Sequence, residues 1–240
     1  MHLSAAELAV ALTAVLAGAF VQGTVGFGVN ILAAPVMALI EPEALPAVLI
    51  LAALPLAAGM LIREHGHIDR EGLRWLVVGR LPGTAVGALV VAALPPDGLA
   101  AVIGALVLVA VLMSVAAPPL TVSRSTALAA GALSGAMGTA SSIGGPPPAL
   151  LYQHHPGAVL RSTTAALFVV GTVLSASALA VAGEVTVDDV RLALVLAPAI
   201  AAGLALATVL RHRIDAGWLR PAVLVVAAVA GLVTFLRGVL

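Results

Sequence analysis

The sequence predicts an all-α polytopic membrane protein of two repeats, the second inverted, each a broken or re-entrant helical hairpin followed by three transmembrane helices. Three observations lead there. Of the 240 residues 62% are hydrophobic and 9% charged, with a mean hydropathy of +1.18, more apolar surface than a soluble domain of this length can hide. The apolar residues fall into runs of the roughly 20 residues that cross a bilayer. Two runs are too long for one crossing, and both carry Gly and Pro where they must break.

Charge, Gly and Pro punctuate the chain into eight apolar segments: 5–40, 44–62, 75–94, 98–117, 126–153, 162–182, 191–210 and 219–236. Six fit one crossing each. A single helix over 5–40 would be roughly 54 Å long and one over 126–153 roughly 42 Å, against a hydrocarbon core of about 30 Å. Each long segment is therefore read as two short helices around an irregular middle, which gives eight to ten membrane helices in all. The first run starts at Ala5 without a basic leader or clear cleavage site and is expected to be retained as a membrane segment. No soluble enzymatic domain is expected.

Arginine placement bears on how the long segments run. If each is a hairpin that returns to the side it left, the loops at 63–80, 118–125, 154–161 and 211–220 share one face and hold nine arginines, leaving Arg191 and Arg237 opposite. The positive-inside rule then makes the nine-arginine face cytoplasmic and 183–190 periplasmic. The window 18–39 slides onto 131–152 at an offset of 113, matching Gly18 to Gly131 and Pro35 to Pro148, and 81–87 resembles 197–203 at an offset of 116. Residues 1–117 are accordingly read as the first repeat and 118–240 as the second. A hairpin plus three crossings inverts the second copy, a common plan among secondary transporters.

Composition removes several functions. There is no cysteine, hence no thiol chemistry and no Cys-ligated metal. Formal net charge is zero, so no basic face suggests nucleic acid. All eleven basic residues are arginine, read as the codon bias of a GC-rich bacterial genome. Glu7 is the one acidic residue inside an apolar segment, and it lies near the terminus, which argues against a mid-membrane carboxylate relay or sodium cage. His65 and His67 lack a third convergent ligand, so no metal site and no cofactor are expected.

The candidate site lies at the two breaks. Non-helical backbone cannot face lipid, because its N–H and C=O groups would be left unsatisfied. Residues 23–30 and 138–148 are therefore expected to be non-helical, to point inward and to face each other. Half-helix N-termini would offer free N–H groups to an anion. Gln22, Thr24, Gly26, Gly28 and Asn30 from the first break, with Thr139, Ser141, Ser142, Gly144, Gly145 and Pro146 from the second, are the expected substrate-binding residues. Close packing of small residues is the competing explanation for such Gly-rich stretches, but two of them in matching positions favour a site. Arg80 is a candidate counter-charge, although its place five residues inside the third segment suggests snorkelling to the cytoplasmic interface. His154, ending the second hairpin, is a candidate proton switch, weighed against an interfacial polar role. Tyr152 and Trp75 read as interface anchors.

The stretches "GTVGFGVNILAAP" and "SGAMGTASSIGGPPPALLY", each opening its half, resemble the duplicated motif of the sulfite exporter TauE/SafE family of bacterial and archaeal membrane transporters. The resemblance implies proton-linked export of sulfite or a related organosulfur anion across the bacterial cytoplasmic (inner) membrane. Ser141 and Ser142 fall where family members vary, which leaves the particular anion open. The expected partners are a small anion, the lipid bilayer, protons as coupling ion and a second copy of the chain in a homodimer. The alternative is an anion channel, since facing re-entrant hairpins also build selectivity filters. An intramembrane enzyme is not expected: Ser141 or Ser142 as nucleophile would have no buried His, Asp or Glu to activate it.

Overall fold

The computed structural model describes residues 3–25, 28–116, 120–210 and 216–240, without the side chains of Val25 and of 216–220. Among these residues the chain is all helical: α1 (Ala5–Val25), α2 (Val29–Ile40), α3 (Ala47–Glu64), α4 (Arg70–Ala93), α5 (Pro96–Ala116), α6 (Arg124–Ser141), α7 (Pro146–Leu151), α8 (Gly157–Ala182), α9 (Val187–Leu210) and α10 (Ala216–Val239). Seven of them, α1, α3, α4, α5, α8, α9 and α10, hold stretches long and apolar enough to cross a membrane. Large apolar side chains such as Leu89, Val181 and Val209 are exposed on the outer surface, as a lipid-facing belt requires. The expected polytopic membrane class holds.

Side-chain caps start several of the helices. Ser4 and Glu7 exchange bonds at the head of α1, the Ser4 amide donating to Glu7 Oε2 at 2.8 Å and the Glu7 amide to Ser4 Oγ at 3.2 Å. This is a capping box, and it gives Glu7 a structural task. Asp69 caps α4 by accepting from the Gly72 amide at 3.0 Å, Ser123 and Thr126 form a capping box on α6, and Thr186 and Asp189 do the same for α9. Gly183, at φ 82°, closes α8 in the left-handed conformation that glycine adopts without strain.

Both long segments break, but over fewer residues than expected. In the first, α1 runs through Val25 and α2 begins at Val29, so Gly23, Thr24 and Asn30 are helical; Gly26 lies outside the described residues. In the second, α6 continues through Ser141 and the irregular stretch is 142–145. The three prolines do not break a helix here. They begin one, since the first turn needs no N–H partner and φ is already set.

Glycine sets the tightest helix pair. A Cβ on Gly79 or Gly83 of α4 would overlap the Leu128 or Ala132 carbonyl of α6, and one on Gly131 would overlap the Leu76 carbonyl in return. These are the small-residue contacts that let membrane helices pack backbone to backbone. Gly203 of α9 sits in the same way against the Leu16 carbonyl of α1, and Gly104 of α5 against Phe235 of α10. Besides the pairs α4–α6, α1–α9 and α5–α10, α3 packs along α8 and also on α9, and α8 on α4.

The α6–α7 unit enters and leaves at one end. The Arg124 guanidinium stacks 4.1 Å over the Trp75 ring at the start of α4, while Tyr152 at the end of α7 donates to Asp69 Oδ2 at 2.8 Å. The Asp69 amide donates to Thr163 Oγ1 at 3.0 Å, and Arg161 pairs with Glu64 at 3.2 Å. The α3–α4 and α7–α8 turns thus share one end, together with the head of α6. Tyr152 is fully buried there, against its expected role at the lipid interface: its ring packs with Leu76 and Leu151, and its hydroxyl is needed at the α4 cap.

Candidate functional site

Where the two breaks meet, the Asn30 amide donates to the Ser142 carbonyl at 2.9 Å. Around that junction lies a cavity of about 60 Å³. At roughly 10–15 Å³ per water-sized group, this is room for one compact ion. Its wall takes Gln22 from α1, Gly28 and Asn30 from the first break, Ser142, Gly144, Gly145 and Pro146 from the second, Arg80 from α4, and Phe168, Thr172 and Ser175 from one face of α8.

The first break is closed by its own side chains. Gln22 Oε1 accepts from the Val29 amide at 3.0 Å, and its Nε2 reaches Met60 Sδ at 3.5 Å. Gly28 turns the chain at φ 131°, a backbone state that L side chains rarely adopt. The head of α2 is therefore already capped.

The second break is built differently. Ser142 leaves α6 in the left-handed region at φ 60°. Prolines occupy the first three positions of α7, so the donors expected of a half-helix N-terminus are missing there: proline has no N–H. A charge supplied by α4 stands in that place. Arg80 is only 4% exposed; its Nη1 donates to Ser134 Oγ at 2.6 Å, and Ser134 in turn donates to the Gly144 carbonyl at 2.6 Å. Its Nε has no hydrogen-bond partner among the described residues, and no carboxylate there forms an ion pair with it. Two glycines make the slot for the guanidinium: a Cβ on Gly171 of α8 would overlap it, and one on Gly138 would lie 2.9 Å from Nη2.

Arg80 therefore does not snorkel. The first two turns of α4 are polar, with Arg70, Glu71 and Arg74, so the apolar window understates the helix. Counted from the Asp69 cap, Arg80 lies about 16 Å along the axis, and its guanidinium is turned into the bundle onto Ser134.

Four other expected residues stand away from the cavity wall. Thr24 Oγ1 donates to the Val21 carbonyl at 2.8 Å, and Ser141 Oγ to the Met137 carbonyl at 2.7 Å, each bonding the preceding turn of its own helix. Thr139 lies one layer behind, its hydroxyl 2.8 Å from Ser175 Oγ. His154 is exposed in the turn beyond α7. Conversely, Ser134, Phe168, Gly171, Thr172 and Ser175 escaped the sequence reading. Phe168, Thr172 and Ser175, spaced i, i+4 and i+7, carry the signal of one helix face.

A helical membrane bundle that holds an unpaired arginine beside a small polar cavity, between two broken helices, has the construction of a solute-handling polytopic membrane protein. The chain belongs to the sulfite exporter TauE/SafE family, whose profile matches residues 10–234. That family is one of membrane transporters. No curated protein matches the chain, and no solved structure does.

Proposed function

We propose that the protein is a secondary transporter that exports sulfite or a related organosulfur anion across the bacterial cytoplasmic membrane, and that the cavity at the two breaks is its binding site. The observation that carries this reading is Arg80: a guanidinium buried within a membrane-length helix and on the wall of an ion-sized space, with one hydroxyl partner and no ion pair among the described residues. A buried cation without a counter-charge is costly, and a bound anion supplies that charge.

The repeat plan, with halves 1–117 and 118–240, belongs to the same proposal. It is supported by the exchange of packing partners: α4 on α6 mirrors α9 on α1, α8 on α4 mirrors α3 on α9, and α7 on α5 mirrors α2 on α10. A site between halves related in this way can be reached alternately from the two sides by rocking one against the other.

The test is efflux of sulfite from proteoliposomes. The parent should speed release in a saturable way, and Arg80→Gln protein that purifies folded should not. Efflux by Arg80→Gln equal to the parent would remove the cavity from the transport path.

A further inference from the structure

We infer that the cavity holds a singly charged anion, so that a protonatable substrate such as sulfite is taken as its hydrogen-bearing monoanion and carries its own proton. This rests on the cavity being the anion site, and it follows from counting charges. Among the described residues Arg80 is the one ionisable side chain on the wall. The elements packed around it add nothing opposite in sign at its depth. In α6 the only ionisable residue is Arg124, stacked on Trp75; in α8 it is Arg161, paired with Glu64 of α3. α2 and α7 have none. In α4 itself Arg70, Glu71 and Arg74 lie in the first two turns, beyond the cavity; in α3 Arg63 and Glu64 lie in the last turn, and in α1 Glu7 is in the first.

One cation and one monoanion make a neutral site. A dianion would leave a net negative charge at membrane depth, with only dipoles to meet it. The neutral amides are largely committed within the protein, Asn30 Nδ2 to the Ser142 carbonyl and Gln22 Oε1 to the Val29 amide. A protonated oxyanion also brings an O–H that needs an acceptor, and the Ser175 hydroxyl on the wall can take it while donating its own proton to Thr139 behind it.

No carboxylate or imidazole on the wall could pick up and release a proton in transit. The proton that accompanies each sulfite is therefore the one already bound to it. Sulfite gains the proton in the compartment it leaves and loses it in the one it enters, and no side chain is protonated on the way. Proton-linked movement then needs no relay, and exposed His154 has no part in it.

The test is calorimetric anion binding by the purified full chain across the near-neutral range. Two pyramidal oxyanions serve as probes: sulfite, which gains its proton near neutral pH, and chlorate, a monoanion throughout. Chlorate affinity should be flat with pH. Sulfite affinity, counted on total sulfite, should weaken as pH rises, approaching tenfold per pH unit once the monoanion becomes the minor species. Sulfite binding that is flat or tighter at high pH, with chlorate flat and lost in Arg80→Gln, overturns the charge-state inference and leaves the anion site standing. A pH trend shared by both probes places the titration on the protein and also overturns it. If folded parent binds neither probe, or Arg80→Gln binds both like the parent, the site itself falls and the inference with it.

Discussion

The two breaks hold related places in the chain and solve different problems. At the first, Gln22 Oε1 caps the Val29 amide at 3.0 Å, Gly28 makes the turn, and the break reaches its counterpart through a neutral amide, Asn30. At the second, three prolines strip the head of α7 of donors, and Arg80 arrives from a neighbouring helix, fixed through Ser134 to the Gly144 carbonyl. The offset of 116 that aligns 81–87 with 197–203 puts Leu196 opposite Arg80, and Leu196 is fully buried. The first break supplies shape, and the charge at the second is brought in by α4. On the repeat plan proposed above, a duplicated framework would not carry duplicated chemistry, because Arg80 has an apolar residue at the corresponding position.

That contrast orders the expected effects of mutation. The largest belongs to Arg80→Gln, which removes the charge while keeping an amide in the slot. Hydrogen bonds to charged groups contribute roughly 1.5–3 kcal/mol, so anion affinity should fall about a hundredfold or more once the lost charge is included. Arg80→Lys should recover part of it, because the charge returns without the planar fork that spans Ser134 and the cavity; titration calorimetry on folded protein reads both.

Gly171→Ala comes next. The three atoms nearest its new Cβ all belong to the Arg80 guanidinium, so the guanidinium is displaced while the fold survives. The expected loss of affinity is about tenfold, with an unchanged melting temperature. An equal substitution at Gly83, whose Cβ would strike the Ala132 carbonyl, should instead lower the melting temperature. Reversal of these two results would mean that the glycines of α8 serve packing and not the arginine.

Ser134→Ala should cost about three- to tenfold in affinity, since it frees Arg80 Nη1 and strands the Gly144 carbonyl together. The smallest effects belong to Thr24→Ala and Ser141→Ala, whose hydroxyls bond their own helices; affinity should stay within about twofold of the parent in the same titration. A tenfold loss at either would bring these residues back to the site.

The architecture was legible from length and punctuation. Each of the eight apolar segments falls on one helix, or on two where it was read as broken, because a fixed rise per residue against a fixed hydrocarbon thickness leaves little freedom. At the site, the sequence pointed to Gln22, Gly28, Asn30, Ser142, Gly144, Gly145 and Pro146, all on the cavity wall. It misplaced Thr24 and Ser141 because a hydroxyl near a break can turn back to the preceding turn as easily as inward, a choice set by helical phase. The depth of Arg80 is hidden in the sequence, because the first turns of α4, with Arg70, Glu71 and Arg74, lie outside any apolar window although the Asp69 cap starts the helix there. Ser134 and Gly171 were invisible for another reason: their importance comes from contact with Arg80 across helices, and nothing in their local sequence marks it.

The most direct test of the charged second break is anomalous diffraction from crystals grown with selenite, the heavier analogue of sulfite. One selenium peak is expected in the cavity, with a selenite oxygen about 3 Å from a nitrogen of the Arg80 guanidinium. A peak held at the Gln22–Val29 junction with no oxygen in reach of Arg80, or bound selenite elsewhere with the cavity empty, would contradict the account.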